Sequence, residues 1–481
     1  LNEMGLLTGM KDLGGGGLSC VVGELALDAG FGAKVDLEKV HLKVENMPPW
    51  EIWVSESQER MMFTVTPKNV DKVLEICNSW DVEAVSIGEV IAEKRNIVNY
   101  RGTEILNLDL EFTTGGPVYK RPYNLPEYDI GNPSDLPPYP NDIKTQIINI
   151  INQPEVASKD WVIRQYDHEV RGKTALKPIQ GPIGKEVPGD SSVIKPVDDS
   201  WKGLALTSDV NPYLMEANPY HGTMSAVEEV CRNLASVGAR IDSLADCLCF
   251  GNPRRPDIMG QFKASCEALR DAATAVDVPY VSGNVSLYNE TQEGAIPPTP
   301  VLMGIGLVND IRKCVTSDMK SKGSIWLVGQ TKEEMGASLY YRTLGLECAK
   351  VPSTNFKTFL PRMEQLIQAI ENEEVVACHD ISNGGLALSI IEMCMSGIGA
   401  EITFDGQLRN DVELFSESNG RWIVQVNPKY EDAFSKRFDF AKKIGDINEK
   451  IIFKSGNESI AQLTIEEIRD KWTKPIWNRL A

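Results

Sequence analysis

Apolar residues recur along this chain with two different periods, and each period predicts a different element. Gly203-Leu204-Ala205-Leu206-Thr207-Ser208-Asp209, Met61-Met62-Phe63-Thr64-Val65 and Trp422-Ile423-Val424 are short apolar runs that read as strands. Val70, Val73 and Leu74 share one face of a helix, and Val227, Val230, Leu234 and Val237 form the stripe of a second helix from about Thr223 to Gly238. Through the middle of the chain the order is strand, helix, strand, helix, strand. Leu125 to Asp142 is rich in Pro and Asp and reads as a linker, and Asn309 to Lys322 reads as a second one. There is no run of eighteen apolar residues, so no membrane-spanning helix is predicted.

The same pattern occurs twice. Met10-Lys11-Asp12-Leu13-Gly14-Gly15-Gly16-Gly17-Leu18 precedes a helical stretch ending at Gly30-Phe31-Gly32-Ala33. Cys378-His379-Asp380-Ile381-Ser382-Asn383-Gly384-Gly385-Leu386 precedes another, ending at Gly397-Ile398-Gly399-Ala400. Ser55-Glu56-Ser57-Gln58-Glu59-Arg60 is echoed by Ser416-Glu417-Ser418-Asn419-Gly420-Arg421, and Ile87-Gly88-Glu89 by Ile444-Gly445-Asp446. The separation is too long for a solenoid, so the landmarks predict two duplicated α+β domains with a different domain between them.

Composition changes this picture little. The chain has 481 residues, 42% apolar and 24% charged, which suits a soluble chain of about three domains; without a signal-peptide core at its start it is placed in the cytosol. A net charge of −19 argues against a nucleic-acid groove, yet an acidic protein can bind phosphates through Mg²⁺. Ten cysteines are scattered without a C-x-x-C pair, and Cys247 and Cys249 are too close in sequence for a usual zinc site, so reduced thiols are expected.

Taken alone, the candidate chemistry is modest. Glu229 and Asn233 are neighbours at i, i+4; spacing alone leaves them a solvated pair, and a Mg²⁺ pair is the sharper alternative. Tyr280 to Asn289 reads as a strand ending in Gly283-Asn284-Val285-Ser286, where Gly admits a phosphate close to the backbone, Asn offers an oxygen to a metal and Ser a hydroxyl. The glycine turns after Asp12 and Asp380 read equally as anion-binding helix starts and as structural turns; they lack a P-loop Lys. None of His41, His168, His221 and His379 has a partner at metal-ligand spacing.

In order along the chain, Met10-Lys11-Asp12-Leu13-Gly14, Ser55-Glu56-Ser57-Gln58-Glu59-Arg60-Met61, Gln165-Tyr166-Asp167-His168, Thr207-Ser208-Asp209-Val210-Asn211-Pro212, Asp246-Cys247-Leu248 with Phe250-Gly251-Asn252-Pro253, and Ser282-Gly283-Asn284-Val285-Ser286-Leu287-Tyr288-Asn289 resemble the phosphoribosylformylglycinamidine synthases. The resemblance implies an α+β fold of the aminoimidazole ribonucleotide synthetase superfamily. Two duplicated B-type domains flank one A-type α/β domain that pairs with a second A-type domain, in the order A1, B1, A2, B2. It divides this chain into B1 at 1–120, incomplete at its start, a linker at 121–150, A2 at 151–315 and B2 at 316–481. A1 and the start of B1 are expected to be absent, with them the catalytic His, so the chain alone is expected to be inactive.

By the same resemblance, Asp12 is a Mg²⁺ ligand of the main site, and Glu56, Ser57 and Gln58 form the loop that holds formylglycinamide ribonucleotide. Asp246 and Gly283 contact ATP, Asn284 is a second Mg²⁺ ligand and Ser286 contacts substrate. Cys249 stands where Asn is expected. A second site for structural ADP or ATP is implied, with Asp190, Glu229, Asn233 and Asp380 as its metal ligands and Ser382 near the nucleotide. Asn419 and Gly420 replace Gln58 and Glu59 in the second copy, so no substrate is expected at that loop. The implied reaction phosphorylates an amide oxygen with ATP and displaces the phosphate with ammonia. A glutaminase subunit and a small bridging subunit are the expected partners, alongside small-molecule substrates. The competing readings are a selenophosphate or aminoimidazole ribonucleotide synthetase, and a silent nucleotide-binding scaffold.

Overall fold

In the computed structural model, contacts cluster into Leu1–Lys120 and Arg121–Ala481, here units 1 and 2. Residues 1–116, 118–125, 136–166, 168–346 and 350–480 are described, without the side chains of 170 and 480. Much of the Pro- and Asp-rich linker, together with Asp167 and Cys348, therefore lies outside the described residues.

Unit 1 contains β1 (Leu7–Asp12), α1 (Leu18–Asp28), β2 (Gly32–Asp36), α2 (Pro49–Val54), β3 (Met61–Val65), α3 (Val70–Ser79), β4 (Gly88–Ile91), β5 (Arg95–Tyr100), β6 (Thr103–Asp109) and α4 (Leu110–Gly115). Its strands form two sheets, β1-β3 and β4-β2-β5-β6. The core is small: Leu18, Val21, Val22 and Ala26 on one face of α1 meet Val35, Ile52, Val98 and Leu110. Asp109 begins α4 by accepting from the Phe112 amide at 3.0 Å, a side-chain N-cap.

Unit 2 opens with α5 (Ile143–Ile151), α6 (Asp160–Gln165), β7 (Thr174–Leu176), β8 (Ile179–Gln180), β9 (Val187–Pro188), β10 (Ser192–Ile194), β11 (Gly203–Asp209), α7 (Pro212–Ala217) and α8 (Pro219–Ser236). It continues through β12 (Arg240–Cys249), α9 (Pro256–Val276), β13 (Tyr280–Ser286), β14 (Glu290–Thr291), β15 (Gly294–Ala295) and β16 (Thr299–Val308). The main sheet here has the order β13-β12-β16-β11-β10-β7. Helix α8 begins four residues before the position that its apolar stripe predicts. Asn218 accepts from the His221 amide at 3.0 Å and Pro219 occupies the first turn, so capping and a fixed proline φ start the helix ahead of its stripe. Val227, Val230 and Leu234 of that stripe are fully buried.

The remainder of unit 2 is β17 (Ser324–Val328), α10 (Leu339–Thr343), α11 (Phe356–Glu371), β18 (Val375–Asp380), α12 (Gly385–Cys394), β19 (Gly399–Phe404), α13 (Asn410–Phe415), β20 (Trp422–Val426), α14 (Glu431–Arg437), β21 (Ala441–Asn448), β22 (Ile451–Ser455), β23 (Glu458–Leu463) and α15 (Ile465–Leu480). Its seven strands form one sheet, β18-β20-β17-β21-β19-β22-β23.

The duplication seen in sequence is reproduced as strand register. Gly32, Ala33, Lys34 and Val35 of β2 face Ile91, Val90, Glu89 and Gly88 of β4. Their counterparts Gly399, Ala400, Glu401 and Ile402 of β19 face Asn448, Ile447, Asp446 and Gly445 of β21. In both copies the glycine that opens the first helix, Gly17 or Gly385, has a positive φ, of 54° or 68°. A Cβ there would meet the Ser55 or Ser416 carbonyl oxygen at 2.0 or 2.6 Å. Only glycine satisfies both the left-handed backbone and that close approach.

Candidate functional site

The two Ser-Glu-Ser loops are built the same way. Glu56 accepts from the Gly16 amide at 2.8 Å, and Glu417 from the Gly384 amide at 2.7 Å and the Leu339 amide at 2.9 Å. Arg60 and Arg421 each fold back onto carbonyl oxygens of their own loop, those of Ser55 and Ser57 or of Ser416 and Ser418. The glycine turn does present an amide to an anion, and the anion is the protein's own carboxylate. In unit 1 the loop is open: Glu56, Ser57 and Gln58 are exposed, as is Asp12 at the end of β1.

The second loop is closed against α8. Asn419 donates to Ser225 Oγ at 2.7 Å and to Thr354 Oγ1 at 2.8 Å, and the Gly420 amide donates to Glu228 at 3.1 Å. The left-handed backbone at this position is shared by both copies, with φ of 63° at Glu59 and 71° at Gly420.

Beside that loop lies a buried charge cluster. The Arg232 guanidinium pairs with Glu228, with Glu229 at 3.3 Å and with Asp380 at 3.1 Å, and its side chain is 1% exposed. His379 Nδ1 meets Asp190 at 2.6 Å and its Nε2 meets Glu392 at 3.1 Å; the Asp380 amide donates to Asp190 at 3.2 Å. Burial works against the charge on Arg232 and on His379, but the surrounding carboxylates outweigh it and raise both pKa values. Burial also pushes Glu229 up, helped by Asp209, and lifts Asp380 to about 6.

Four residues expected at a second metal site thus sit in one region of unit 2. Glu229 and Asn233 are not a solvated pair: Glu229 is paired with Arg232, and Asn233 is 8% exposed with its Oδ1 buried and unpartnered. Ligand atoms of Asp190, His379 and Asp380 lie within 4.8 Å of one another. Sequence reasoning passed over His379, whose adjacency to Asp380 was its one signal, and over Arg232. Asn383, next to Ser382, accepts from Asn211 at 3.0 Å and borders a pocket lined also by Glu155, Tyr213, Leu339 and Arg342. Arg342 stacks 3.1 Å over the Tyr213 ring and pairs with Glu155 at 2.7 Å.

The other expected contacts of unit 2 lie on β12 and β13. Asp246 stands beside Gly283, where a Cβ would come within 2.9 Å of its carboxylate; burial raises the Asp246 pKa. Asn284 and Ser286 lie opposite Cys247 and Cys249, so strand alternation puts them on the sheet face away from the Asp246 side chain. Asn284 Nδ2 lies 3.6 Å from Cys247 Sγ, and Ser286 Oγ is 3.3 Å from Asn289. The Cys247 and Cys249 sulfurs are 3.7 Å apart, and all nine described cysteines are free thiols.

Residues 188–308 match the N-terminal domain of the AIR synthase related proteins, and residues 1–101 and 323–453 match their C-terminal domain. The chain belongs to the AIR synthase related family, with the C-terminal domain type present twice. Within that family it is 36% identical over 478 residues to the phosphoribosylformylglycinamidine synthase subunit PurL of Thermoplasma volcanium, covering 98% of this chain and 62% of the relative. It is 38% identical over 473 residues to the same subunit of Thermococcus sibiricus, covering 97% of this chain and 64% of that one. The chain thus spans less than two thirds of the length of these relatives. Thermotoga maritima PurL complexed with ADP superposes with a TM-score of 0.64 at 26% identity, over 93% of this chain and 65% of that one. The PurLQS structure from Thermotoga maritima gives a TM-score of 0.65 at 24% identity over 93% of this chain and 64% of that chain, a likeness of fold. No helix among the described residues is long and apolar enough to cross a membrane.

Proposed function

We propose that this chain is the B1, A2 and B2 portion of the ligase that converts formylglycinamide ribonucleotide to its amidine with ATP and ammonia. The carrying observation is the match to PurL subunits along 98% of the chain. It is supported by two copies of one loop design, open in unit 1 and closed in unit 2. ATP would phosphorylate the amide oxygen; ammonia adds to that carbon and phosphate leaves. Such a reaction asks mainly for positioning and for neutralisation of phosphate charge.

In this reading Glu56 fixes the glycine turn, and the exposed Ser57 and Gln58 exchange their bonds within the loop, to Ser55 Oγ and the Glu56 carbonyl, for bonds to the substrate. Asp246 and Gly283 bind ATP and Ser286 contacts substrate. Asp12 in unit 1 and Asn284 in unit 2 would each offer an oxygen to Mg²⁺, which supplies the charge neutralisation when bound. The second site fits a divalent cation as well. Asn233 Oδ1 is a buried acceptor without a partner, Asp190 and Asp380 bring carboxylate oxygens within 4.8 Å of each other, and Glu229 lies one helical turn from Asn233 on α8. A structural ADP or ATP with Ser382 alongside is the matching ligand. A glutaminase subunit would supply the ammonia, with the small bridging subunit as a further partner.

The test is ammonia-dependent ADP release with formylglycinamide ribonucleotide and Mg-ATP by the protein as isolated and with its partner subunits. Release that requires this substrate supports the reading. Release with selenide, or with formylglycinamidine ribonucleotide as the substrate, reassigns the chain within its family. Nucleotide binding with no turnover under any condition makes it a scaffold. Asp12→Asn should raise the Mg²⁺ concentration for half-maximal activity at least about tenfold, since it removes one charged ligand from a cation; an unchanged Mg²⁺ dependence removes Asp12 from the site.

A further inference from the structure

Strand β12 carries Cys247 and Cys249 with one residue between them, and strand alternation sets both on one face of the main sheet. Their sulfurs lie 3.7 Å apart, and both residues are half-buried. Pairing on both sides of β12 holds the two in place. Asn284 and Ser286 of β13 lie opposite them on one side, Val301 and Thr299 of β16 on the other. Asn284 is exposed, and its amide nitrogen is 3.6 Å from the Cys247 sulfur. The pair exists because Cys249 stands where the resemblance expects Asn; an Asn there would leave Cys247 without a second thiol beside it.

We propose that Cys247, Cys249 and Asn284 form a site for a thiophilic divalent cation such as Zn²⁺. Two thiolates bound to one tetrahedral zinc at about 2.3 Å stand about 3.8 Å apart, and the two sulfurs have that spacing before any ion arrives. A disulfide needs them at about 2.0 Å, so closing it would pull the cysteines together against ladder hydrogen bonds on both sides. Binding releases the two thiol protons: M²⁺ and 2 RSH give M(SR)₂ and 2 H⁺. A half-turn of the Asn284 amide puts its oxygen where its nitrogen now meets Cys247, which supplies a third ligand, and water takes the fourth position. The i, i+2 spacing is too short for a zinc-binding loop, but on a strand it points both thiols the same way.

One consequence rests on the ligase reading above, in which Asn284 offers its oxygen to Mg²⁺. A soft cation held by the dithiol then takes a ligand from the hard one. Mg²⁺ prefers oxygen and has little affinity for thiolate sulfur, so the two ions compete only through the shared amide.

The test is titration of the freshly reduced protein with Co²⁺ alone, followed by Zn²⁺. Cobalt bound by thiolate gives a charge-transfer band in the near ultraviolet. That band should saturate at one equivalent and be bleached by Zn²⁺. Cys247→Ser and Cys249→Asn should each raise the Co²⁺ concentration for half-saturation at least about tenfold, since each removes one of two thiolate ligands. In the unaltered protein, bound Zn²⁺ should shield two thiols from alkylation, and peptide masses should identify them as Cys247 and Cys249; this arm needs no variant to fold. Excess Mg²⁺ should raise the half-saturation point of the parent and leave that of Asn284→Ala unmoved. Absence of the band, a band unchanged in both cysteine variants, or shielding of other cysteines instead overturns the site. A band that answers to the cysteine variants and not to Mg²⁺ overturns the sharing of Asn284 alone. Failure of the ligase reading leaves the cobalt result standing, because neither nucleotide nor substrate is present in the titration.

Discussion

Arg232→Met is expected to destabilise unit 2 by about 3–5 kcal/mol at pH 8, the usual cost of removing one partner from a buried ion pair. The guanidinium is 1% exposed and is the cation shared by Glu228, Glu229 and Asp380. Methionine fills much of the volume, so the loss is chiefly electrostatic: the buried carboxylates lose their counter-charge and are driven toward their neutral forms. Unpaired, these groups have folded-state pKa values raised above their unfolded ones. The folded variant then binds more protons than the unfolded chain, and its stability falls as pH rises through that window. The gap between variant and parent, read from urea midpoints, should therefore be smaller at pH 5 than at pH 8. Glu228→Gln combined with Arg232→Met should recover part of the loss at pH 8. A variant within about 1 kcal/mol of the parent at both pH values would mean that the cluster is hydrated rather than sealed. If Asn233 and the neighbouring carboxylates bind a divalent cation, Mg²⁺ should raise the variant's midpoint more than the parent's, because the added cation replaces charge that only the variant lacks.

The repeat was legible in the sequence because its landmarks are local: a glycine run after an Asp, a Ser-Glu-Ser loop ending in Arg, an Ile-Gly-acid strand. Each is short, and each copy keeps its order. The roles of the landmarks were not legible, because they depend on partners distant in sequence. Gly16 reads equally as an anion cradle or a turn until Glu56 is seen 2.8 Å away. Glu229 and Asn233 read as solvated because a helical-wheel argument recognises only the apolar stripe as buried; nearly the whole of α8 is buried, with polar partners supplied by β18 and the 418–421 loop. Arg232 carried no motif at all. Pattern also hid the unequal sheets of the two copies, since strand periodicity reports that β3 and β4 are strands and says nothing of which edges are filled.

Glu417→Gln should raise stability at pH 8 and leave it nearly unchanged at pH 5. Glu417 accepts from two backbone amides that have no other partner in the turn, those of Gly384 and Leu339. Burial, only partly offset by those two hydrogen bonds, lifts its pKa from the usual 4.5 to about 7. Between these values the folded protein holds a proton that the unfolded chain has released. The contribution of this group is thus most favourable below pH 4.5 and is lost as pH rises toward 7, with a total of about 3 kcal/mol at roughly 1.4 kcal/mol per pKa unit. Glutamine keeps an acceptor oxygen and cannot ionise, so the difference between Glu417→Gln and the parent should grow from pH 5 to pH 8 in the variant's favour. Glu417→Ala has the opposite logic at low pH. It leaves two buried amides without an acceptor, each costing about 1–3 kcal/mol, and should be clearly destabilised at pH 5. At the equivalent position of the first copy, Glu56 is exposed and water can satisfy the Gly16 amide, so Glu56→Ala should cost well under about 1 kcal/mol. Thermal midpoints of the three variants at the two pH values check the whole set. Equal effects at Glu56 and Glu417 would show that the second loop is as open as the first, and would remove the physical basis for treating the two copies as one substrate loop and one structural one.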